Sequence, residues 1–331
     1  MGPVASKWLE GFQTQVDGFA DAAELARGEV AEALKASHFA VNAITCRAKS
    51  VESTRHKINS QGIGRPSQLL RDLIGVRVIT TFASGVDEAA GRLESMFETV
   101  DRKDKRGLLD VSEFGYRSVH LIVRMSPSEI GPVAELLRSQ FVEVQVRSVV
   151  EHAWAEVEHD LRYKSGVKMP GSLGRRFAAL AGALELVDRE FDSLQHDLVE
   201  VIRGYAELYK APDLVPPQEL DSSRLLGLLA ARRPHAPSGG PQDLALDLPE
   251  AGRLVFLLGE VGIVTDSVLD EHLQKTELKT RIRAFADSQS IDPDQVSLTA
   301  VLSLLIMSKA DELGVSLFVS DDPGLIEAAG A

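Results

Sequence analysis

The stretch that decides the fold is FVEVQVRSVVEHAWAEVEHDLRYK, residues 141–164. Its first half alternates strictly between apolar and polar residues, which is the pattern of a strand with one buried face. One face carries three valines, and the other carries, in order, Glu143, Gln145 and Arg147. A helix-compatible run follows directly, so this polar row lies close to a strand-to-helix corner, where α/β folds often bind ligands. The row is either an ordinary exposed strand face or part of a site.

The segments on either side of this stretch predict a sheet with helices on its flanks. The β-branched run 76–82 and the segment GYRSVHLIVRM (115–125) predict two further strands. Apolar spacing of three and four residues predicts helices over 5–45, 85–99 and 173–210, and the charged segment 101–114 is interpreted as a loop. Alternating strands and helices predict the α/β (α+β) class, with a mixed β-sheet flanked by helices.

Length and composition limit the possible class of protein. The chain has 331 residues, of which 44% are hydrophobic and 26% charged, as in globular proteins. No run of 18 apolar residues predicts a membrane span, and the N-terminus lacks the apolar core of a secretory signal. Cys46 is the only cysteine, which excludes an intramolecular disulfide and a cysteine-based metal cluster. The expected location is the cytoplasm, without membrane association.

Charge is distributed unevenly along the chain. Residues 1–210 have a net charge of −3 and residues 211–331 a net charge of −10. The segment 233–242 contains three prolines and two glycines and is the best linker candidate. We therefore expect a domain over 1–212 with an N-terminal helix, a linker region over 213–242, and an acidic, mainly helical C-terminal module over 243–331.

Three polar clusters lie on or beside the predicted strands. Cations at this density suit a polyphosphate, and carboxylates on neighbouring strands suit Mg²⁺. An aromatic residue next to a glycine suits stacking on a base. The clusters are Arg47, Lys49, Ser53 and Lys57 ahead of Asp72 and Arg77; then Tyr116, Ser118 and His120; and then Glu143, Gln145 and Arg147.

Each cluster alone also has an ordinary structural interpretation. Basic residues usually mark a solvated helix face, and a strand tyrosine usually packs in a core. Neither a Walker A motif nor a GxGxxG run is present, so nucleotide binding would need another architecture. His152, Glu156 and His159 share one helix face, but the HExxH metal motif is absent, and packing is the expected role of that helix.

Four motifs in order, RAKSVES…K, DLIGVRVI, FGYRSVH and EVQVRSVVEHAWAEVEHDLRYK, resemble the synthetase domain of the RelA/SpoT family, particularly the small alarmone synthetases. The resemblance covers about residues 40–210 and implies a nucleotidyltransferase-like fold. It also implies pyrophosphate transfer from ATP to the 3′-hydroxyl of a nucleotide, with AMP leaving. On the donor side it implies that Arg47 and Arg77 clamp the adenine, while Lys49, Ser53 and Lys57 hold the ATP phosphates.

The resemblance likewise implies the metal and acceptor sites. Asp72 and Glu143 would bind Mg²⁺, and Glu143 would also accept the proton of the attacking hydroxyl. Tyr116 would stack on the acceptor base, with His120 near the acceptor phosphates. The remaining acceptor-side residues would be Gln145, Arg147 and His152.

Two departures from the family pattern concern the acceptor. The approach to Tyr116 reads VSEFGY instead of a basic Asn-Gly segment, and His152 stands where guanine-specific members tend to have an amide. The first choice of acceptor is GDP or GTP. A toxic subgroup that modifies the 3′ CCA end of tRNA, or an adenine nucleotide as acceptor, is the alternative. A catalytically inactive regulatory module is a third hypothesis, which the retained carboxylates disfavour.

No family is recognised in residues 215–331. This region is expected to be an oligomerisation, partner-binding or regulatory module, and the whole protein is expected to be a homo-oligomer. Its acidic charge could compete with a polyanionic substrate for the cations of the first cluster. Whether the C-terminal region inhibits the enzyme stays open at this point.

Overall fold

The computed structural model describes residues 2–35, 39–104, 118–162, 171–210, 216–232, 248–290 and 298–313. The chain divides into two compact units, Met1–Ser193 and Leu194–Ala331. The boundaries at 212 and 242 that the sequence predicts stay a prediction. No helix in the described segments is long and apolar enough to cross a membrane.

The first unit contains all five strands of the described chain. Their bounds are β1 Val41–Ala48, β2 Ile74–Thr80, β3 Glu98–Asp104, β4 Val119–Arg124 and β5 Val142–Ser148. Its helices are α1 Pro3–Gln13, α2 Val16–Leu34, α3 Val51–Gln61, α4 Pro66–Leu69, α5 Ser84–Met96, α6 Pro132–Ser139 and α7 Val149–Arg162. Helix α8, Gly171–Leu208, begins in this unit and ends in the second.

The strands form one sheet in the order β1-β2-β5-β4-β3. The central pair β2 and β5 is parallel, and the other neighbours are antiparallel. The predicted mixed sheet flanked by helices is therefore confirmed. Because β2 and β5 run in the same direction, the N-terminal ends of both strands lie at the same end of the sheet.

One face of the sheet carries the hydrophobic core of the first unit. Its valines at 76, 78, 142, 144 and 146 have no solvent exposure. Helix α2 packs against β1 and β2, and helix α5 packs against β5, β4 and β2. Phe19, Ala22, Ala26 and Val30 of α2 belong to this core. The opposite face is left for the polar residues of the alternating strands.

Two sequence-based expectations in this unit are wrong. The predicted helix over 5–45 ends at Leu34, and residues 41–48 form β1, because Val41, Ile44 and Thr45 are β-branched and pair with β2. Residues 101–104 of the predicted charged loop belong to strand β3, Glu98–Asp104. Charged residues on an edge strand protect it against pairing with other chains, and the same charges give it the composition of a loop.

The second unit is helical in its described part, as predicted. Besides the end of α8, it contains α9 Ser222–Ala231, α10 Leu248–Glu260, α11 Asp266–Gln274, α12 Thr276–Gln289 and α13 Leu298–Leu313. Fully buried Leu225, Leu228 and Leu258 contribute to its own core. The buried Asp266 carboxylate accepts hydrogen bonds from the Tyr209 hydroxyl at 2.7 Å and the Gln218 backbone N–H at 2.9 Å.

Candidate active site

The polar face of the sheet carries two rows of side chains that cross neighbouring strands. Residues that pair across strands point to the same face, so the register alone defines each row. The first row runs Thr45, Arg77, Gln145, His120 and Lys103 across β1, β2, β5, β4 and β3. The second row runs Arg47, Gly75, Glu143, Ile122 and Asp101 across the same strands.

A continuous set of hydrogen bonds links the polar residues of β4 and β5. Ser118 Oγ lies 2.7 Å from His120 Nε2, and His120 Nδ1 lies 3.0 Å from Glu143 Oε1. Gln145 Nε2 donates to Glu143 Oε2 at 3.0 Å, and Arg147 Nη2 donates to the side-chain oxygen Oε1 of Gln145. Both oxygens of Glu143 are therefore hydrogen-bonded, and the polar row that the sequence predicts on β5 is a connected network.

The electrostatics of this network keep Glu143 ionised. Burial, with only 19% of the side chain exposed, raises the pKa of Glu143. The hydrogen bond and charge of His120, with the hydrogen bond from Gln145, outweigh burial and lower the pKa to about 2. An anion at this depth is tolerated because its partners are fixed by the strands.

A second cluster lies where β1, α3 and β2 meet. Lys49 Nζ and Lys57 Nζ both donate to Asp72 Oδ2, at 2.5 and 2.8 Å. Burial raises the pKa of Asp72, but the hydrogen bonds and charges of the two lysines outweigh it and leave the pKa lowered. The other oxygen, Asp72 Oδ1, is buried without a hydrogen-bond partner among the described residues.

Local structure explains how this second cluster is positioned. The backbone N–H of Lys49 donates to the carbonyl of Leu73 at 2.8 Å, which extends the pairing of β1 with β2 by one residue. Ser50 is the N-cap of α3 and accepts a hydrogen bond from the backbone N–H of Ser53. Ser53 therefore lies in the first turn of α3, where helix N–H groups and the helix dipole favour anions.

A third group lies toward the C-terminal ends of β2 and β5. Arg77 Nη1 donates to Glu156 of α7 at 3.2 Å, and His152 Nδ1 lies 3.9 Å from the same carboxylate oxygen. Burial, together with Arg147 and Arg77, lowers the pKa of His152. Three buried nitrogens have no hydrogen-bond partner among the described residues: Arg77 Nε, Arg147 Nε and His152 Nδ1. These three nitrogens are available for hydrogen bonds with an anionic or polar ligand.

A pocket opens between β1, β2 and β5. Of the sequence-predicted residues, Arg47, Arg77, Glu143 and Gln145 line it. Gly75 lies between them in the second row, and a side chain added there would contact Arg47 at 3.6 Å. The absence of a side chain at Gly75 therefore leaves space beside Arg47 on the floor of the pocket.

Sequence analysis missed two residues of this region and gave a third, Glu156, only a packing role. Thr45 and Cys46 line the pocket, and the strand that brings them there is not predicted, because the predicted helix over 5–45 covers the first five residues of β1. Cys46 donates to Glu24 at 3.1 Å, and burial with this hydrogen bond raises the pKa of its thiol to about 11. Glu156 pairs with Arg77, and its spacing of four residues from His152 on α7 was the available signal.

The position of Tyr116 lies outside the described residues, as do Ser112, Glu113 and Phe114. The side chain of His159 is also outside them. Among the residues that are described, no group of three or more His, Cys, Asp or Glu side chains could hold a metal ion.

Comparison with known proteins identifies the region that carries this site. Residues 46–168 match the family model described as "Region found in RelA / SpoT proteins". The chain contains a RelA/SpoT-type domain. This domain includes β2, β4, β5 and α7, and with them both carboxylates described above.

Two curated relatives come from Bacillus subtilis (strain 168). The GTP pyrophosphokinase YjbM is 25% identical over 179 residues, which are 53% of this chain and 82% of the relative. The GTP pyrophosphokinase YwaC is 27% identical over 158 residues, which are 46% of this chain and 72% of the relative. Among solved structures, small alarmone synthetase 1 from Bacillus subtilis matches 58% of this chain and 99% of its own, with 22% identity and a TM-score of 0.48.

Proposed function

We propose that the chain transfers pyrophosphate from ATP to the 3′-hydroxyl of GDP or GTP and releases AMP. The observation that carries this proposal is the ionised, buried Glu143, held beside the Arg47 and Arg77 pocket in a RelA/SpoT-type domain. Two relatives named GTP pyrophosphokinase, which match 82% and 72% of their own length, support a guanine nucleotide as acceptor.

The reaction forms one bond and breaks one. The 3′-oxygen of the acceptor attacks the β-phosphorus of ATP, and the bond from that phosphorus to the α–β bridging oxygen breaks. The bridging oxygen leaves as part of AMP, and the proton of the attacking hydroxyl passes to Glu143. In such transfers a protein mainly positions the reactants and stabilises the developing charge.

The cationic cluster supplies the donor site of this proposal. Arg47 and Arg77 would clamp the adenine, and Lys49, Lys57 and Ser53 would hold the ATP phosphates. Each lysine ammonium has three N–H donors and uses one of them on Asp72, so both can contact phosphate without releasing the carboxylate. The first turn of α3 adds backbone donors for the same anion.

The residues present fit a magnesium ion. Asp72 offers a buried oxygen with no hydrogen-bond partner among the described residues, and it lies two residues before β2, the strand that pairs in parallel with the strand of Glu143. Mg²⁺ typically takes one or two protein carboxylates plus phosphate oxygens, so a three-residue protein cluster is not required. When bound, the ion would neutralise charge on the transferring phosphates, while Asp72 and Glu143 would hold it.

The pKa of about 2 applies to Glu143 without substrates. Negative phosphate charges nearby favour the protonated form of a carboxyl group and raise its pKa, which makes the group a better proton acceptor during the reaction. Hydrogen bonds from His120 and Gln145 fix the direction of the carboxylate. We assign proton acceptance to Glu143 and its orientation to these two neighbours, with Arg147 holding Gln145 in place.

The acceptor side of the proposal is tested by one product assay. The protein is incubated with ATP labelled in its β and γ phosphates, Mg²⁺, and either GDP, GTP, ADP or deacylated tRNA, and products are separated chromatographically. The expected result is AMP release with label on GDP or GTP. Exclusive labelling of tRNA or ADP would assign the alternative acceptor. The VSEFGY segment, which replaces a basic Asn-Gly segment, is the reason for testing that alternative. Release of no AMP with any acceptor would contradict the enzyme proposal and favour an inactive regulatory module.

A further inference from the structure

A third row of side chains crosses the polar face of the sheet, next to the row that contains Glu143. The strand register, continued by two residues from that row, defines it. At or one residue beyond the strand ends, it runs Lys49, Leu73, Phe141, Arg124 and Glu98 across β1, β2, β5, β4 and β3. Phe141 is two residues before Glu143 on this face, which corresponds to about 7 Å along the strand.

Two arginine side chains contact the ring of Phe141. The guanidinium carbon of Arg124 lies 4.4 Å from the ring centroid, and that of Arg71 lies 5.3 Å from it. Both distances are within the range of a cation–π interaction. The two arginines are exposed and Phe141 is partly buried. The ring therefore holds two guanidinium groups near one another at this end of the sheet.

Neither guanidinium has an acidic partner in the part of the chain that the structure describes. Asp72 directly follows Arg71, but its Oδ2 accepts from the two lysines of the second cluster. Glu98 is the cross-strand neighbour of Arg124 and forms no ion pair with it. Other arginines of the first unit are paired with acids, among them Arg27, Arg102 and Arg138.

This arrangement has the properties of an anion site. Two like charges near one ring repel each other, and an anion that contacts both replaces the repulsion with attraction. The planar fork of a guanidinium fits phosphate oxygens with two parallel hydrogen bonds, so two forks match a group with several phosphate oxygens. The ring also orders both side chains before a ligand arrives, which reduces the entropy that binding costs.

We propose that Arg71 and Arg124, ordered by Phe141, form a phosphate-binding site in addition to the lysines of the second cluster. Its ligand is a diphosphate or longer polyphosphate group. This group belongs either to ATP, as the terminal phosphate of a donor held in the Arg47 and Arg77 pocket, or to a free polyphosphate. The inference concerns binding alone and does not depend on the proposed transfer reaction.

Calorimetric titration of the full-length chain with inorganic pyrophosphate tests the site. The double variant Arg71→Gln/Arg124→Gln should bind pyrophosphate about 10-fold more weakly or worse than the wild type, because it loses two charge-assisted contacts. Circular dichroism should be unchanged, because both side chains are exposed. The difference between the two proteins should shrink at high salt, as expected for exposed charges.

The matched control is Arg176→Gln/Arg189→Gln, which changes the net charge by the same amount. Both arginines are exposed on α8, and α8 contacts the other end of β5, where Ser148 Oγ donates to Asp188 at 2.7 Å. The control should bind pyrophosphate within about twofold of the wild type. A second variant, Arg71→Lys/Arg124→Lys, keeps both charges but not the fork, and it should recover part of the affinity.

Titrations with ATP and ADP distinguish the two sources of the phosphate group. If the terminal phosphate of ATP occupies the site, the double glutamine variant should weaken ATP binding about 10-fold and leave ADP binding within about twofold. If a free polyphosphate occupies it, pyrophosphate binding should weaken while ATP and ADP bind as in the wild type. Intact ATP binding without AMP release would contradict the proposed function and leave this site unaffected.

Three outcomes would overturn the proposal. The first is a double glutamine variant that binds both pyrophosphate and ATP as tightly as the wild type does. The second is equal weakening by this variant and by the α8 control, which would show an effect of net charge alone. The third is a wild-type chain that binds neither pyrophosphate nor ATP.

Discussion

The two faces of the central sheet carry residues of opposite kinds. On one face, Val142, Val144 and Val146 of β5 are completely buried, and on the other Glu143 and Gln145 of the same strand form a hydrogen-bonded network. Neighbouring residues thus belong to opposite environments. The comparison teaches that β5 contributes stability through its even-numbered residues and chemistry through its odd-numbered residues.

Stability of the fold does not by itself explain the polar face. Replacing a buried, hydrogen-bonded charge network by apolar residues is often neutral or stabilising, so Glu143 and Arg147, which is 7% exposed, are poorly explained by folding. Strongly perturbed ionisable groups beside a pocket are typical of functional sites. If one face of the sheet supplies stability and the other supplies function, substitutions on the two faces should have different kinds of effect.

The largest expected effect is on catalysis. Glu143→Gln should lower kcat by about 10³-fold, because the amide cannot accept the proton of the attacking hydroxyl. ATP binding should be nearly unchanged, since the adenine and phosphate contacts come from other residues. Rates of AMP release and equilibrium ATP binding measure the two quantities.

The control for this substitution is Glu135→Gln, at a 72% exposed carboxylate on α6. It makes the same chemical change at an exposed residue that does not line the pocket, and it should leave kcat within about twofold. A Glu143→Gln variant with kcat near that of the wild type would remove Glu143 from the reaction.

The next effect concerns the pH dependence of stability. The pKa of Glu143 is lowered from 4.5 to about 2 in the folded chain, so its ionised form stabilises the fold above pH 4.5. That stabilisation is lost as the pH falls from about 5 to 2 and amounts to about 3 kcal/mol. Denaturant unfolding at a series of pH values should show this component in the wild type and not in Glu143→Gln. Parallel curves for the two proteins below pH 5 would contradict it.

Much of this contrast was predictable from sequence. The alternation in β5 predicts the strand, its buried valines and the polar row that includes Glu143, because the period of two is a property of the extended backbone. Strand β1 was missed since Val41, Ile44 and Thr45 follow a helical stretch without a proline, and their strand conformation depends on pairing with β2. Intrinsic preference is weaker than such tertiary pairing.

The second cluster could not be predicted in its details. Lys49 and Lys57 reach Asp72 from 23 and 15 residues away, and only the folded arrangement of β1, α3 and β2 brings them to one oxygen. The sequence suggested a metal ligand and two phosphate-binding cations, and it gave no sign that the three side chains pair with one another. Their assigned roles stay predictions, as does the role of Tyr116.

A smaller effect is expected on the apolar face. Val144→Ala removes two methyl groups from a completely buried position and should lower the free energy of unfolding by about 2 kcal/mol. The rate per folded molecule should not change, because the side chain points away from the pocket. Denaturant unfolding and kcat measured on the same preparation test both statements. A large loss of kcat without a loss of stability would mean that the two faces are not separable.

The smallest effect is expected for Asp72→Asn. In the folded chain Asp72 Oδ2 accepts from both lysines, and Oδ1 has no hydrogen-bond partner among the described residues. An asparagine can keep its carbonyl oxygen on the lysines only by placing its NH₂ group where Oδ1 was. That position then presents a donor, which repels a cation, instead of an acceptor. Activity should fall by about 10-fold at limiting Mg²⁺.

Excess Mg²⁺ distinguishes a metal ligand from a structural partner of the lysines. If Asp72 holds the ion, raising the Mg²⁺ concentration should restore most of the activity of Asp72→Asn, because binding is weakened while Glu143 and the substrate phosphates remain. If Asp72 only orders Lys49 and Lys57, the loss should appear as a higher KM for ATP at every Mg²⁺ concentration. The second result would leave Glu143 as the metal-binding carboxylate and would make Asp72 part of the phosphate site.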